Sequence, residues 1–232
     1  MLSDFIEKII GDFKNDPAYK IESSYTVGQL SRILLLRAMQ IYRGIFRKVQ
    51  CKSVGGLIFC GRHVTIMHGK NISVGKSLII EDGVYIDALS EEGIILGDNV
   101  TIAKYSILIC TGVIRKKGKG IQVGNNSAIG AQSFIGGQGG VCIGNDVIMG
   151  PGVRIFSENH IYKDKKDLIR LQGESRKGVA IGDNCWIGAS STILDGVTIG
   201  NGCVIAAGSV VTKDIPSNSV AAGVPTKVVK NR

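Results

Sequence analysis

Proline and long apolar runs are scarce in this sequence, and each absence excludes a class of protein. Only 4 of the 232 residues are proline, whereas 32 are glycine. Glycine without proline suits a chain that turns tightly and repeatedly, and it argues against a disordered tract rich in both residues. No run of about 18 consecutive apolar residues is present, so we expect no transmembrane helix. The first residues, MLSDFIEKIIGDF, mix acids with apolar residues, and we expect no secretory signal.

Closely paired cysteines are also missing, because no two of them form a C-x-x-C motif. The six are Cys51, Cys60, Cys110, Cys142, Cys185 and Cys203. This spacing gives no sign of a metal or redox site. We therefore interpret the cysteines as small core residues of a protein in a reducing compartment, and we expect a cytoplasmic location.

Acidic residues are absent from one region, between Glu22 and Glu81, which contains nine bases. They are Arg32, Arg37, Arg43, Arg47, Lys48, Lys52, Arg62, Lys70 and Lys76. The chain has 28 bases, 19 acids and a net charge of +9, so the excess positive charge belongs to this region. Such a region favours an anionic or membrane-associated acceptor. Nucleic acid is not expected, because the basic segment lacks interleaved aromatic residues that stack on bases.

A period of six is the dominant positive feature. From Ile181 to Thr212 the sequence reads IGDNCW-IGASST-ILDGVT-IGNGCV-IAAGSV-VT, with an aliphatic residue opening each block. This period fits neither an α-helix, with about 3.6 residues per turn, nor the simple alternation of an amphipathic strand. The spacing predicts a repeating coil whose stacked turns bury one continuous core.

The same register can be followed back to residue 54. The earlier block-opening residues are Cys60, Ile66, Val74, Ile80, Ile86, Leu96, Ile102, Leu108, Val123, Ile129, Ile135, Ile143, Met149 and Ile155. The register slips only after a complete set of three blocks. We interpret three blocks as one triangular coil, with neighbouring coils about 4.8 Å apart. Every insertion should then leave at the same corner, and the protrusions should stack along one edge.

Helices are expected before the repeats. Residues 2–14 carry apolar residues at helical spacing and predict a short amphipathic helix. Thr26 and Gln29 resemble a capping box at the start of a second helix. We expect an N-terminal helical segment over residues 1–53 and a β-helix domain over residues 54–232.

The second helix, within residues 26–50, combines a broad apolar arc with a stripe made by Arg32, Arg43 and Arg47. One interpretation is that it packs on the main domain or on a neighbouring subunit. The other is an in-plane helix that draws the protein to anionic lipid as a peripheral membrane protein. The sequence leaves both open.

The repeats resemble a known family. The segment CWIGASSTILDGVTIGNGCVIAAGSVVTKDIPSNSVAAGVPTKVV is similar to the signature of the maltose, galactoside and polysaccharide O-acetyltransferases, and the likeness covers residues 54–230. Parallel crossovers are right-handed in about 98% of cases, but the resemblance implies an all-β fold, a left-handed parallel β-helix of hexapeptide repeats. It also implies a homotrimer that binds acetyl-CoA between adjacent solenoids, requires no metal and acetylates a hydroxyl of a sugar or glycan, such as a polysaccharide, O-antigen or capsule precursor.

The resemblance also implies which residues contact acetyl-CoA. They are Ala189, Ala207, Thr212, Lys213, Lys227 and Lys230. Small alanines would let the pantetheine arm approach the backbone, and the lysines could bind the CoA phosphates. Many relatives carry arginine near the last two positions; lysine keeps the charge but lacks the bidentate fork.

The insertion at residues 156–178 is polar and too long for a turn, and long ordered loops often carry function. It contains His160, and the resemblance implies that a histidine at the start of this loop is the general base. An imidazole can take the proton of a sugar hydroxyl as the oxygen attacks the thioester carbonyl, while backbone N–H groups hold the oxyanion. Gln138, Glu158 and Asn159 are further candidates for substrate contacts, and Glu158 could orient the imidazole.

Other functions are compatible with the fold. A γ-type carbonic anhydrase would hold zinc with three histidines, and this chain has three, His63, His68 and His160. The first two lie about four coils, or roughly 20 Å, from the third, which is too far for zinc bonds of about 2 Å. A streptogramin-type antibiotic acetyltransferase and a non-catalytic solenoid remain as alternatives.

Overall fold

The computed structural model describes residues 6–8, 10–11 and 18–232. Three long sheets form the three sides of a parallel β-helix, and up to residue 211 each turn of the helix contributes one short strand to each sheet. We call them sheets A, B and C in the order in which the chain visits them. The expected triangular coil of three strands is therefore confirmed.

The strands are short and follow the sixfold spacing. Sheet A contains β1 (Ser53–Val54), β4 (Ile72–Val74), β7 (Ser90–Leu96), β10 (Gly118–Val123), β13 (Val141–Ile143), β18 (Val179–Ile181) and β21 (Thr198–Ile199). Sheet B contains β2 (Leu57–Cys60), β5 (Ser77–Ile80), β8 (Val100–Ile102), β11 (Ala128–Ile129), β14 (Ile148–Met149), β19 (Trp186–Ile187), β22 (Val204–Ile205), β24 (Ser219–Gly223) and β25 (Thr226–Asn231). Sheet C contains β3 (Thr65–Met67), β6 (Tyr85–Asp87), β9 (Ile107–Ile109), β12 (Phe134–Gly136), β15 (Arg154–Phe156), β20 (Thr192–Ile193) and β23 (Val210–Val211).

The block-opening residues stack on one another inside the coil. In sheet A, Ile143 pairs with Ile181, and Ile181 with Ile199. In sheet C, Ile155 pairs with Ile193, and both side chains are fully buried. The core is thus a continuous column of aliphatic side chains, because parallel strands in register place equivalent residues above one another.

Two of the three corners turn in the same way in every coil. At the corner between sheets A and B, a side-chain oxygen of one coil accepts a hydrogen bond from a backbone N–H of the coil before it. The acceptors are Asp98, Asn125, Asn145, Asp183, Asn201 and Ser217. This ladder satisfies the amides that a tight turn would otherwise leave unpaired.

All insertions lie at the third corner, between sheets C and A, as the spacing predicts. The longest separates β15 from β18 and carries the small antiparallel sheet of β16 (Asn159–His160) and β17 (Glu174–Ser175), with a 3-10 turn at Ile169–Leu171. Another 3-10 turn, Gly69–Asn71, lies at this corner in the first coil.

Helix α1 (Val27–Lys48) packs on the first coil, mainly against β2. Thr26 and Gln29 form the expected capping box: the Gln29 amide donates to Thr26 Oγ1 (3.2 Å), and the Thr26 amide donates to Gln29 Oε1 (2.9 Å). Gly44 is the closest point of approach, where any Cβ would overlap the carbonyl oxygen of Ile58. Packing on the main domain is therefore confirmed.

Helix α1 packs on the β-helix by its basic side. Arg43 and Arg47 point toward the solenoid and donate to the carbonyls of Cys60 (3.3 Å) and Val64 (2.8 Å). Two of the three arginines of the basic stripe attach the helix, and most of the apolar arc faces outward. Among the described residues, no helix has the length and hydropathy needed to cross a bilayer. Of the helix expected over residues 2–14, only residues 6–8 and 10–11 are described, and they are helical; the others lie outside the described residues.

Five cysteines are buried core residues, as expected, and all six are free thiols. Cys142 corrects the expectation for the sixth: it is exposed, because it is the middle residue of β13 and alternation along the strand turns its side chain outward. Burial raises the pKa of the Cys110 thiol to about 12.

Candidate active site

His160 lies on a hairpin that leaves the β-helix at the C–A corner. Its strand, β16, pairs with β17, so that Asn159 is opposite Ser175 and His160 is opposite Glu174. Asn159 and His160 are both exposed. Between residues 18 and 232, no hydrogen-bond partner of the His160 imidazole is found. The ring is therefore accessible to a substrate.

Arg176 fixes this hairpin to the insertion of an earlier coil. Its Nε donates to Glu158 Oε2 (3.0 Å), and its Nη1 donates to the carbonyls of Lys116 (3.3 Å) and Lys117 (3.1 Å). The Arg176 side chain is only 6% exposed, against 29% for Glu158. The carboxylate that we expected to orient His160 instead anchors the base of its hairpin, two residues away.

Asp195 holds the other end of the insertion. Its Oδ1 accepts hydrogen bonds from the amides of Lys177 and Gly178 (both 2.8 Å), and its Oδ2 accepts one from the Ser175 hydroxyl (3.2 Å). Three donors to one carboxylate define where the chain re-enters sheet A. The loop that carries His160 is thus held at its return by a residue of the next coil.

Gln138 lies beneath the insertion and is only 9% exposed. Next to it, the buried Ser157 hydroxyl donates to the Gly136 carbonyl (2.6 Å) and accepts from the Gly139 amide (2.8 Å). A substrate would reach only the edge of the Gln138 side chain.

Ala189 and Ala207 lie at the corner between sheets B and C, in a column of small residues. A Cβ added to Gly150 would lie 2.6 Å from the Ala189 nitrogen, and one added to Gly188 would overlap the Ala207 nitrogen. Ala207 is exposed and Ala189 half-buried. The space beside each glycine is occupied by the backbone of the next coil, so the column reflects close stacking of the coils.

The other four residues expected at acetyl-CoA are also exposed, but they are distributed over the last coil. Thr212 and Lys213 follow β23 at the C–A corner. Lys227 and Lys230 lie on β25, which closes the end of sheet B. Within one chain the six positions therefore occupy both edges of sheet C and the end of sheet B, and they do not converge on a single cavity.

His63 and His68 lie in the first coil, on either side of β3, and β3 is four strands from β15 in sheet C. His68 Nδ1 is 2.8 Å from Asp87 Oδ1. Across the described part of the chain, no group of three or more His, Cys, Asp and Glu side chains is arranged to hold a metal. The three histidines are thus separated as the spacing predicts.

The sequence interpretation missed Arg176 and Asp195. Asp195 could have been noticed, because an aspartate in the turn LDG follows directly on a block-opening pair. Arg176 carried no such signal: it lies among several bases of a polar insertion, and its partners are 18, 59 and 60 residues away along the chain.

Comparisons with known proteins agree with the fold and the family resemblance. The family model described as the hexapeptide repeat of succinyl-transferase matches residues 77–103 and 178–213. The galactoside O-acetyltransferase of Escherichia coli is 40% identical over 114 residues, which are 49% of this chain and 55% of that protein. The enzyme of the same name from Lactococcus lactis is 38% identical over 38% of this chain and 42% of that protein. The chain thus spans about half the length of the curated relatives it matches.

Among solved structures, the N-acyltransferase AntD of Bacillus cereus, in complex with dTDP-4-amino-4,6-dideoxyglucose and coenzyme A, superposes with a TM-score of 0.55 at 19% identity. The match covers 82% of this chain and 89% of AntD. At that identity the likeness concerns the fold alone. The chain is a left-handed parallel β-helix, and its resemblance to the hexapeptide-repeat acetyltransferases is confirmed.

Proposed function

We propose that this protein is an acetyl-CoA-dependent O-acetyltransferase whose acceptor is a hydroxyl of a sugar or glycan. The observation that carries the proposal is His160: it is exposed, and it is presented by a hairpin that Arg176 and Asp195 hold in place. The similarity to two galactoside O-acetyltransferases supports the reaction class. The six free cysteines suit a reducing compartment, and we place the reaction in the cytoplasm.

In the proposed reaction, acetyl-CoA supplies an electrophilic thioester carbonyl. His160 accepts the proton of the acceptor hydroxyl while its oxygen bonds to the acetyl carbon. The carbon–sulfur bond then breaks, and the imidazolium returns the proton to the departing sulfur. The products are an acetyl ester and free CoA, and the enzyme needs no covalent intermediate. Glu158 and Asn159, beside the base, remain candidates for acceptor contacts.

Ala189 and Ala207 are the proposed contacts of the pantetheine arm, because their small side chains lie at the surface of the B–C corner and let a ligand approach the backbone. Lys213, Lys227 and Lys230 are exposed and can bind the phosphates.

We further propose a homotrimer in which the groove closes between neighbouring copies. Within one copy, the alanines lie at the opposite edge of sheet C from His160 and Lys213. A copy packed against that face would bring the two sets of residues together.

The test compares two histidines changed in the same way. His160→Asn removes the base, and we expect acetyl transfer to fall by about 10²–10⁴-fold while acetyl-CoA binding, measured by calorimetry, is retained. His63→Asn is the control, because His63 is exposed at the far end of the solenoid. CoA release should be measured against galactosides, glycan fragments and streptogramins. Unchanged turnover in His160→Asn would exclude the proposed base.

A further inference from the structure

Helix α1 packs on the β-helix by the side that carries Arg37, Arg43 and Arg47. Arg43 and Arg47 donate to carbonyls of the first coil, and the guanidinium of Arg37 lies 5.9 Å from the ring centre of Phe59. At Gly44 the helix backbone lies directly against the β2 backbone, because glycine has no side chain. These contacts fix how α1 is rotated about its axis.

The opposite side of the helix is apolar from end to end. We call it the outer face; its large residues are Val27, Leu34, Leu35, Tyr42, Ile45, Phe46 and Val49, which are between 41% and 73% exposed. At about 100° per residue these side chains fall in one arc of about 120° on the side away from Gly44, and the arc contains no charged residue. Ile33 and Leu36 are also exposed but lie outside this arc. With 22 residues, the helix presents this surface over about 33 Å. An exposed apolar surface of this extent marks a contact with a partner or a membrane.

The segment that carries α1 and the first coil is strongly basic. Of the nine bases between Glu22 and Glu81, Lys76 forms an ion pair with Asp98 (3.3 Å), and no other does within residues 18–232. Arg32, Lys52 and Arg62 are exposed. The bases that bond to backbone carbonyls keep their charge, because a carbonyl oxygen carries no compensating unit charge.

Electrostatics distinguishes between two candidate partners of the outer face, a second copy of the chain and a lipid surface. A second copy that placed its own α1 against this face would bring two acid-free basic regions together, which is repulsive. An anionic lipid surface offers acyl chains for the apolar residues and negative headgroups for the surrounding bases. We propose that α1 is an interfacial helix that lies in the surface of an anionic bilayer with its outer face toward the acyl chains. This proposal does not depend on the reaction proposed above.

The experiment measures co-sedimentation of the full chain with vesicles. One set contains phosphatidylglycerol and phosphatidylcholine in equal parts, and the other contains phosphatidylcholine alone. We expect binding to the anionic vesicles to be much stronger and to weaken with salt.

The doubly substituted variant Leu35→Ser, Phe46→Ser should bind the anionic vesicles at least about tenfold more weakly, because both side chains lie on the outer face. The matched control, Ile114→Ser with Leu168→Ser, removes two exposed apolar residues of the C–A insertions and should bind as the unchanged protein does. All four side chains are exposed, so the variants should keep the fold, which circular dichroism can verify.

A second pair of variants tests the charge. Arg32→Gln with Lys52→Gln should lower binding to anionic vesicles several-fold, whereas Lys163→Gln with Lys166→Gln, an equal charge change on an exposed loop, should not. The proposal is overturned if the unchanged protein does not bind anionic vesicles, or if the outer-face variant binds as well as its control. It is also overturned if light scattering shows that the outer-face variant reduces the oligomer mass, because the occupant would then be a second copy.

Discussion

The corners of the β-helix differ in how much variation they accept. At the A–B corner the coils repeat a hydrogen bond from a backbone amide to an Asx or Ser side chain, and at the B–C corner they repeat a hydrogen bond from a backbone amide to a backbone carbonyl of the preceding coil. At the C–A corner, by contrast, the connections range from a short turn to the 23-residue insertion of residues 156–178. The two tight corners maintain the stacking, and the third is free to carry function.

The corners differ in their tolerance of insertions because their backbone hydrogen bonds run in different directions. At a tight corner, the backbone bonds both to the preceding coil and to the following one, as when Ser190 donates to Pro151 and Gly208 donates to Ala189. An added residue would break both contacts. At the C–A corner, the insertions hold one another through side chains such as Arg176, so their lengths can differ from coil to coil.

The largest effect should come from lengthening a tight corner. Insertion of Gly-Ser-Gly after Ser190 must displace the turn contacts of two coils, and we expect a loss of about 3 kcal/mol or more in the free energy of unfolding. The same insertion after Lys165, in the exposed part of the C–A loop, should cost less than about 1 kcal/mol. Urea denaturation measures both. Equal losses of unfolding free energy in the two variants would show that the corners tolerate insertions equally.

An effect of similar size should follow from shortening a buried isoleucine of the coil, but not from shortening an exposed one of an insertion. Ile193 is fully buried in the coil, and Ile193→Ala should destabilise the protein by about 2–5 kcal/mol. Ile114 is fully exposed on a C–A insertion, and Ile114→Ala should change stability by no more than about 0.5 kcal/mol. Thermal denaturation of the two variants provides the comparison, which a sizeable loss in Ile114→Ala would contradict.

Removal of the contact between insertions should loosen the loop without unfolding the coil. Arg176→Met leaves Glu158 without its partner, and we expect local opening of residues 159–175 to become easier by about 1–2 kcal/mol, or about five- to thirty-fold in amide hydrogen exchange. Arg170→Met, an exposed position of the same loop, is the control. If exchange rose throughout the β-helix, Arg176 would be part of the fold and not a clamp on its variable corner.

The smallest effect on stability is expected for the thiols. Cys142 is exposed, whereas burial raises the pKa of Cys51, Cys60, Cys110 and Cys185 and so suppresses the reactive thiolate. An aromatic disulfide reagent should react rapidly with one thiol per native chain, and with all six in denaturant. Cys142→Ser should abolish the rapid reaction and leave the melting temperature unchanged. A second rapid thiol in the native protein would show that the coil opens more readily than its packing indicates.

Much of the fold could be predicted because the repeat is a local property. The residues that open each block are the buried ones. The six-residue period therefore predicted the coil, its three sides and the corner at which every insertion lies. The capping box at Thr26 and Gln29 was also predictable, since both of its hydrogen bonds lie within four consecutive residues.

The candidate site was only partly predictable. His160 could be named from the insertion and the family resemblance, but the role of Glu158 could not. Its carboxylate was expected near the imidazole, and the structure pairs it with Arg176, which also reaches carbonyls 59 and 60 residues earlier in the chain. A contact between two insertions produces no periodic pattern in the sequence of either insertion, so the sequence alone does not reveal it.

By itself, the sequence determined the β-helix, because parallel stacking repeats one inward position every sixth residue and that spacing is visible in the chain. Only the tertiary structure decided the orientation of α1. A helix with an apolar arc and a basic stripe can pack on a β-helix by either side. The spacing of its residues defines both sides but does not tell which of them faces the β-helix. The close approach at Gly44 and the hydrogen bonds from Arg43 and Arg47 turn the basic side inward, and they leave the apolar side facing out.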